Sequence, residues 1–265
     1  MEHHSSAPAS SNASAFSLDP NAIDQKYHFL LRKLHSLSGI IPIGAFLAEH
    51  MLTNSMAVFG PDRFNKSVHA LHELPYLTLL EVFGIFLPIA FHALYGIKIA
   101  MSAELNTHAY PYMANRRYTL QRITGYIAFL FIIVHLMKFR FAHLVGWGPS
   151  FLDPNNVDKF EITRNGLMHW TPWGVHVPAA ATLTLYVIGL WAACYHFANG
   201  IWTFCISWGI TVGEKAQKKV GVLAAGVGIV LFVWGCLSLF AFATAKGESA
   251  ATHEAPAVAR QAHSI

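Results

Sequence analysis

The stretch that decides the fold is YLTLLEVFGIFLPIAFHALYGIKIAMS, residues 76–102, which is almost continuously apolar. A helix needs about 20 predominantly apolar residues to cross the hydrocarbon core of a bilayer, and this stretch is long enough to do so. Four other stretches meet the same criterion: residues 36–59, 122–145, 177–208 and 220–244. The sequence therefore predicts an all-α fold, a five-helix transmembrane bundle whose spans are numbered I to V in chain order.

The composition of the whole chain is that of a membrane protein. Of its 265 residues, 54% are hydrophobic and 12% are charged, whereas soluble domains carry about 25% charged residues. This excludes an ordinary soluble domain and a disordered chain. The formal net charge of +4 comes mostly from bases beside the spans, so it indicates orientation in a lipid bilayer and no nucleic-acid partner.

The segments outside the spans predict three parts of the chain. Residues 1–25 are rich in Ser, Ala and Asn and lack the apolar core of a secretory signal, so we expect a disordered N-terminal tail. Residues 26–245 form the five-helix domain, in which a long polar loop over residues 146–176 joins spans III and IV. Residues 246–265 are small and polar, and we expect a flexible C-terminal tail.

The charges near the span ends predict the direction of insertion. Ten of the 18 bases and five of the 14 acids lie on the side of the N-terminus, which leaves that side at about +5 and the other at about −1. Lys and Arg are enriched on the cytoplasmic side of membrane proteins. We therefore expect the N-terminus in the cytoplasm and the C-terminus outside.

Histidine is the second unusual feature, because the chain has 16 His against 14 Asp and Glu together. Ionisable side chains within a membrane are rare and usually functional. Spans I and III run outward, which puts His50 and His135 in the outer half of the bilayer. Spans II and IV run inward, which puts His92 and His196 in the inner half. The depths thus predict one histidine pair near each face of the membrane.

Each predicted pair suits a haem iron. Two imidazoles on facing helices fill both axial positions of an iron that already holds four porphyrin nitrogens, which favours electron transfer over oxygen binding. Zinc would need three or four protein ligands, and no Cys or third His shares either depth. The alternative is that each histidine merely forms a hydrogen bond to a neighbouring helix. Four histidines in two matched pairs favour two b-type haems over this alternative.

Four motifs around these histidines resemble a known family. They closely resemble, in the same order, the single-chain, di-haem cytochrome b membrane anchor of bacterial succinate:quinone oxidoreductases, which are the succinate dehydrogenases and fumarate reductases. The motifs are RKLHSLSGIIPIGAFLAEH (32–50), EVFGIFLPIAFHALYG (81–96), LQRITGYIAFLFIIVH (120–135) and YHFANGIWTFCISWGIT (195–211). The resemblance runs from Tyr27 to Phe242, and RxLHSxxG and HFxNGxW are its most specific parts.

The resemblance implies a function, partners and ligands. The outer, distal haem b would take His50 and His135, and the inner, proximal haem b would take His92 and His196. The chain would anchor a flavoprotein subunit and an iron–sulfur subunit to the bacterial cytoplasmic (inner) membrane. It would pass electrons from the iron–sulfur subunit through both haems to a quinone, commonly menaquinone.

The chain itself is not expected to oxidise succinate, and we predict no catalytic residue for that reaction. It has neither a flavin-binding fingerprint nor cysteine ligands for iron–sulfur clusters. It departs from the family pattern by extra residues between His143 and His176, on the outer side, where the resemblance implies the quinone pocket. It also has Cys194 where one branch of the family has an acid on span IV, so that proton route is not expected here.

Other polar residues near the spans are candidates for binding haem propionates or quinone. The candidates on the inner side are Arg32, His35, Ser36, Lys98 and Arg122. We expect His35 to have no histidine partner at its depth. Reducing a quinone takes two protons as well as two electrons, so Glu73 and Glu81 near the outer start of span II are candidates for the quinone site and for proton transfer. Solvated or helix-capping roles are equally compatible with these two acids.

Two other functions stay open on the sequence. One is a haem-free, proton-coupled membrane transporter that uses His and Glu side chains as relays. The other is the cytochrome b subunit of another quinone-linked enzyme, such as a hydrogenase or a formate dehydrogenase.

Overall fold

The computed structural model describes residues 20–102, 113–149, 151 and 158–245, and these residues form helices and turns without strands. Short 3-10 helices lie at Met56–Phe59 and Pro172–Gly174, and a π-helix lies at Leu80–Phe86. The α-helices are α1 (Pro20–Ile40), α2 (Pro42–Ser55), α3 (Pro61–His72), α4 (Leu77–Leu79), α5 (Leu87–Met101), α6 (Met113–Phe139), α7 (Ala142–Val145), α8 (Lys159–Met168), α9 (Ala179–Ser207) and α10 (Glu214–Thr244). The chain divides between Leu34 and His35 into two compact units.

Five helical segments among the described residues are long and apolar enough to cross a membrane. They are Tyr27–Phe59, Leu77–Met101, Asn115–Phe139, Ala179–Ser207 and Glu214–Thr244. The most apolar part of the second segment is 0% buried within the chain, so its side chains need lipid around them. The predicted all-α bundle with five membrane-spanning helices is confirmed.

The helices extend beyond the predicted spans. Helix α1 begins at Pro20 and therefore includes residues 20–25, which the sequence assigned to the N-terminal tail. Helix α6 begins at Met113, well before the predicted start of span III at residue 122. Apolar length measures only the part of a helix that lies in lipid, and good helix formers such as Arg, Leu and Gln continue it into water. Residues 1–19 and 246–265 lie outside the described residues.

Two prolines lie where the helical geometry changes. Pro42 starts α2 directly after Ile41, which separates α1 from α2. Pro88 lies at the start of α5, directly after the π-helix Leu80–Phe86. A proline has no N–H to donate and its ring crowds the preceding turn, so a break or a wider turn before it relieves the clash.

The most deeply buried apolar cluster lies where α3 and α8 pack against the bundle. Phe64 of α3, Phe160 and Leu167 of α8 and Phe242 of α10 are each at most 3% exposed, and Tyr186 of α9 belongs to the same cluster. Both helices lie in polar segments between the predicted spans, and α8 lies in the predicted loop over residues 146–176. These segments fold as helices because apolar side chains at helical spacing have a hydrophobic surface to cover.

Hydrogen bonds join α3 to the start of α8. The Asn65 side chain donates to Asp158 Oδ1 at 3.1 Å and accepts from the Phe160 N–H at 2.8 Å. Asp158 also accepts from the Glu161 N–H at 2.9 Å and so caps α8. Part of the loop between α6 and α9 is therefore an ordered layer that packs next to Tyr186 on α9.

Candidate haem-iron sites

The first predicted histidine pair is brought together by α2 and α6. The ring centroids of His50 and His135 are 5.7 Å apart, and the ring planes are at 83° to each other. His50 also lies 5.4 Å from the Phe46 ring, and His135 lies 5.8 Å from the Phe131 ring. Both imidazoles thus lie among aromatic side chains within the bundle.

The second predicted pair is brought together by α5 and α9. The ring centroids of His92 and His196 are 6.1 Å apart, and the ring planes are at 89°. Helix α9 packs against both α6 and α10, so it contributes Tyr186 beside one pair and His196 to the other.

Both separations fit two imidazoles on opposite sides of one metal ion. Metal–imidazole bonds of about 2 Å place the two ring centroids about 6 Å apart, and each ring is free to rotate about the common axis. Among the described residues, no group of three or more His, Cys, Asp or Glu side chains could hold a metal ion. A metal at either pair would therefore need its other ligands from a cofactor, as in a porphyrin.

Hydrogen bonds at Nδ1 orient three of the four rings. His92 Nδ1 lies 2.9 Å from the His35 carbonyl oxygen, and His196 Nδ1 lies 3.0 Å from the Gln121 carbonyl oxygen. A carbonyl only accepts, so Nδ1 carries the proton in both rings and Nε2 keeps its lone pair. His135 Nδ1 lies 3.3 Å from the Tyr186 hydroxyl oxygen. This is the arrangement that metal-binding histidines use to fix the tautomer and the ring orientation.

Glycines provide the space for the second pair. A Cβ atom at Gly39 would lie 2.5 Å from His92 Cε1, and one at Gly125 would lie 3.0 Å from His196 Cε1. The first distance is shorter than any ordinary contact, so the observed position of the His92 ring requires glycine at residue 39. The residues present therefore fit a bis-histidine cofactor site.

The HFxNGxW motif forms a polar network next to His196. Asn199, which is 3% exposed, donates to Gln121 Oε1 at 2.9 Å and accepts from Arg117 Nε at 3.0 Å. Gln121 in turn donates to the His196 carbonyl oxygen at 3.1 Å. The Arg117 guanidinium lies 3.7 Å from the centroid of the Trp202 ring. The network joins α6 to α9 next to His196, which explains why these residue types occur together.

His35 differs from the sequence-based expectation. Its ring stacks on the His92 ring with the centroids 4.1 Å apart and the planes at 14°, so the prediction that it has no histidine partner is wrong. Two parallel rings at this distance are too close to bind opposite sides of one metal ion. His35 therefore supports His92 from the side, and its proposed contact with a propionate or a quinone stays a prediction.

The other inner candidates lie in varied surroundings. Ser36 is half-buried, and Lys98 is exposed with its amine 5.8 Å from the Tyr95 ring centroid. The Arg122 guanidinium lies 4.1 Å from the Tyr118 ring centroid. Arg32 is exposed and belongs to the N-terminal compact unit. Their proposed roles stay predictions.

The two acidic candidates form different ion pairs. Glu73 is largely exposed and lies 3.4 Å from His69 Nδ1. Glu81 accepts two hydrogen bonds from Arg140, at 3.0 and 2.7 Å, and both side chains are mostly buried. Arg140 is not among the candidates that the sequence suggested. A search for opposite charges at the same level of neighbouring spans could have found it. Glu81 lies near the start of one span and Arg140 at the end of the next, so both lie at the same level.

His72 at the end of α3 lies near this ion pair and outside the membrane-spanning segments. Burial lowers the pKa of His72, the charge of Lys159 lowers it further, and Glu81 opposes the shift. His72 is consequently neutral at pH 7. Its ring lies 6.3 Å from that of Phe151.

No family model matches the chain. The chain is 35% identical, over 214 residues, to the succinate dehydrogenase cytochrome b558 subunit of Bacillus subtilis (strain 168). The alignment covers 81% of this chain and 96% of that protein. The chain belongs to the family of succinate dehydrogenase cytochrome b subunits.

Family membership and the five apolar helices together make this chain a multi-pass membrane protein. Cys194, where the sequence analysis noted a departure from one branch of the family, is 2% exposed and packs with Leu190 and Leu231. Its surroundings are those of a small core residue.

Proposed function

We propose that the chain is the membrane anchor and electron-transfer subunit of a succinate dehydrogenase and holds two b-type haems between its histidine pairs. The observation that carries the proposal is the pair of ring separations, 5.7 Å for His50 and His135 and 6.1 Å for His92 and His196. Four imidazoles in two pairs suit two irons with no open coordination position. This chemistry favours electron transfer over oxygen binding.

The haems, when bound, supply one-electron carriers between an iron–sulfur subunit and a quinone. The chain's own residues orient the ligands. The carbonyl groups of His35 and Gln121 accept from the Nδ1 protons of His92 and His196, which would leave the Nε2 lone pairs of both rings to hold the iron. The Tyr186 hydroxyl performs the corresponding role for His135.

The partners and the orientation belong to the same proposal. The relative is named a succinate dehydrogenase subunit, and we infer that this chain likewise assembles with a flavoprotein and an iron–sulfur subunit. The charge distribution supports a cytoplasmic N-terminus and an outer C-terminus in the bacterial inner membrane. Electrons then reach a quinone, for which we propose menaquinone, near the His50/His135 pair. Glu81 with Arg140 offers a buried ion pair on that side for proton transfer.

The test is a reduced-minus-oxidised optical spectrum of membranes that contain the complex, followed by a redox titration. We expect a b-type α-band with two components. His92→Ala and His196→Ala should lose the same component, and His50→Ala and His135→Ala should lose the other. His176→Ala is a matched control, because His176 is exposed and lies outside the pairs.

Three results would contradict parts of the proposal. A wild-type spectrum without a b-type band would favour the haem-free transporter. Loss of one component by both His92→Ala and His135→Ala would refute the pairing. Purification with a partner that does not oxidise succinate would assign the chain to a different quinone-linked enzyme.

A further inference from the structure

Lys138 on α6 is a buried lysine that the proposed function does not use. It is 4% exposed, and its amine has no hydrogen-bond partner among the described residues. Removing a charged ammonium group from water without an anion costs several kcal/mol. Such a position therefore indicates an anion that binds there in the loaded protein.

Among the described residues, the surroundings of Lys138 contain hydrogen-bond donors and no acid. The Lys138 amine lies 4.2 Å from the Trp170 ring centroid and 5.0 Å from the Tyr186 ring centroid. Trp170 Nε1 and Thr182 Oγ1 are also buried and lack partners among the residues described. Aromatic faces attract a cation but do not neutralise it. The Lys138 amine and the adjacent Trp170 indole N–H are thus two buried donors without partners among the described residues, and they indicate a ligand that accepts hydrogen bonds.

The site is adjacent to the His50/His135 pair. Lys138 follows His135 by three residues on α6, so both side chains lie on neighbouring positions of one helix face. Tyr186, whose ring contacts the Lys138 amine, also has its hydroxyl 3.3 Å from His135 Nδ1. An anion next to Lys138 would thus lie close to the edge of a cofactor held by His135.

We propose that the Lys138 ammonium group pairs with a propionate carboxylate of the haem held by His50 and His135, and that the Trp170 indole N–H donates to the same carboxylate. The inference rests on the proposed function. A carboxylate suits the site better than a quinone carbonyl, because only an anion neutralises a buried ammonium group. The sequence suggested the inner bases Arg32, Lys98 and Arg122 for haem propionates. These bases would then not bind the propionates of the His50/His135 haem, because Lys138 would do so.

The test is a redox titration of the purified complex carrying Lys138→Met. Removal of the cation leaves the carboxylate unbalanced, which favours the ferric form and lowers the midpoint potential of the His50/His135 haem. We expect the ferric-to-ferrous ratio of that haem at a fixed potential to rise about tenfold, equivalent to about 59 mV. The haem of the His92/His196 pair serves as the internal reference and should keep its potential.

Two further variants separate the lysine's charge from its packing. Lys218→Met removes a lysine whose side chain is 75% exposed and should leave both potentials unchanged. Lys138→Arg keeps the charge and should stay close to the wild-type potential. If Lys138→Met lost the haem altogether, Lys138→Arg should restore it, and failure to do so would contradict the proposed charge pair.

Other results would overturn the inference without affecting the proposed function. Unchanged potentials in Lys138→Met with a raised KM for quinone would assign the cation to the quinone. Asp153 belongs to the predicted loop over residues 146–176 and lies outside the described residues. An equal fall of the potential in Asp153→Asn, with no additional fall in the double variant, would assign the Lys138 cation to that carboxylate. Absence of any b-type band in the wild-type complex would instead refute the proposed function itself.

Discussion

The close approach of Gly39 to His92 allows a prediction that is specific to one of the two proposed haems. In Gly39→Ala the new Cβ would lie 2.5 Å from His92 Cε1 and 3.0 Å from His92 Nδ1. An ordinary van der Waals contact starts near 3.4 Å, so the ring must move by about 1 Å. That displacement weakens its 2.9 Å hydrogen bond to the His35 carbonyl.

The size of the effect follows from these two changes. Overpacking a filled site costs about 1–3 kcal/mol, and a lost hydrogen bond costs about 1 kcal/mol more. The resulting penalty of about 2–4 kcal/mol corresponds to an affinity about 30- to 1,000-fold weaker for the haem between His92 and His196. The haem between His50 and His135 should be retained.

The assay is haem content by reduced-minus-oxidised spectroscopy of the purified complex at limiting haem supply. Gly125→Ala should have a smaller effect, because its Cβ would lie 3.0 Å from His196 Cε1. Gly226→Ala on α10 is the control, because its Cβ would meet nothing within 4 Å. Full occupancy of both haems at unchanged potentials in Gly39→Ala would refute the reasoning.

Three further predictions concern the groups that orient the ligands and the layer above them. Tyr186→Phe removes the hydroxyl next to His135 Nδ1 and should raise the midpoint potential only of the haem proposed between His50 and His135, since a less basic imidazole stabilises ferric iron less. Equal shifts of the potentials of both haems in a redox titration would contradict this. Asn199→Leu leaves Arg117 without its 3.0 Å acceptor and should destabilise the protein by about 1–3 kcal/mol, measured as a lower thermal midpoint in detergent, whereas an unchanged midpoint would argue against the network. Burial lowers the pKa of His72, so the unfolded chain binds the proton first as the pH falls, and the stability of the protein should decrease below about pH 6.5. In His72→Gln the thermal midpoint should depend less on pH between about pH 6.5 and 5.

The main features of the fold could be predicted because a bilayer imposes simple geometry on a sequence. The hydrocarbon thickness sets how long an apolar helix must be, so the five spans are visible as apolar stretches. The fixed rise per residue converts position along a span into depth. This is why residue counting alone placed His50 near His135 and His92 near His196, as the ring separations show.

The loop helices α3 and α8 could not be predicted with the same tools. Their segments are polar on average, and they fold because Phe64 and Phe160 cover each other and Phe242. Such a cluster exists only after distant parts of the chain have come together. The two short helices therefore depend on tertiary packing rather than on local pattern.

The sequence by itself determined the membrane class, the five spans and which of the four histidines lie at the same level, because length and level are measured along each helix axis. The tertiary structure alone decided what lies around those axes. Rotation and packing placed His35 against His92, paired Glu81 with Arg140 and turned Lys138 toward Trp170. No count along the chain specifies these contacts, since each depends on which faces of two helices meet.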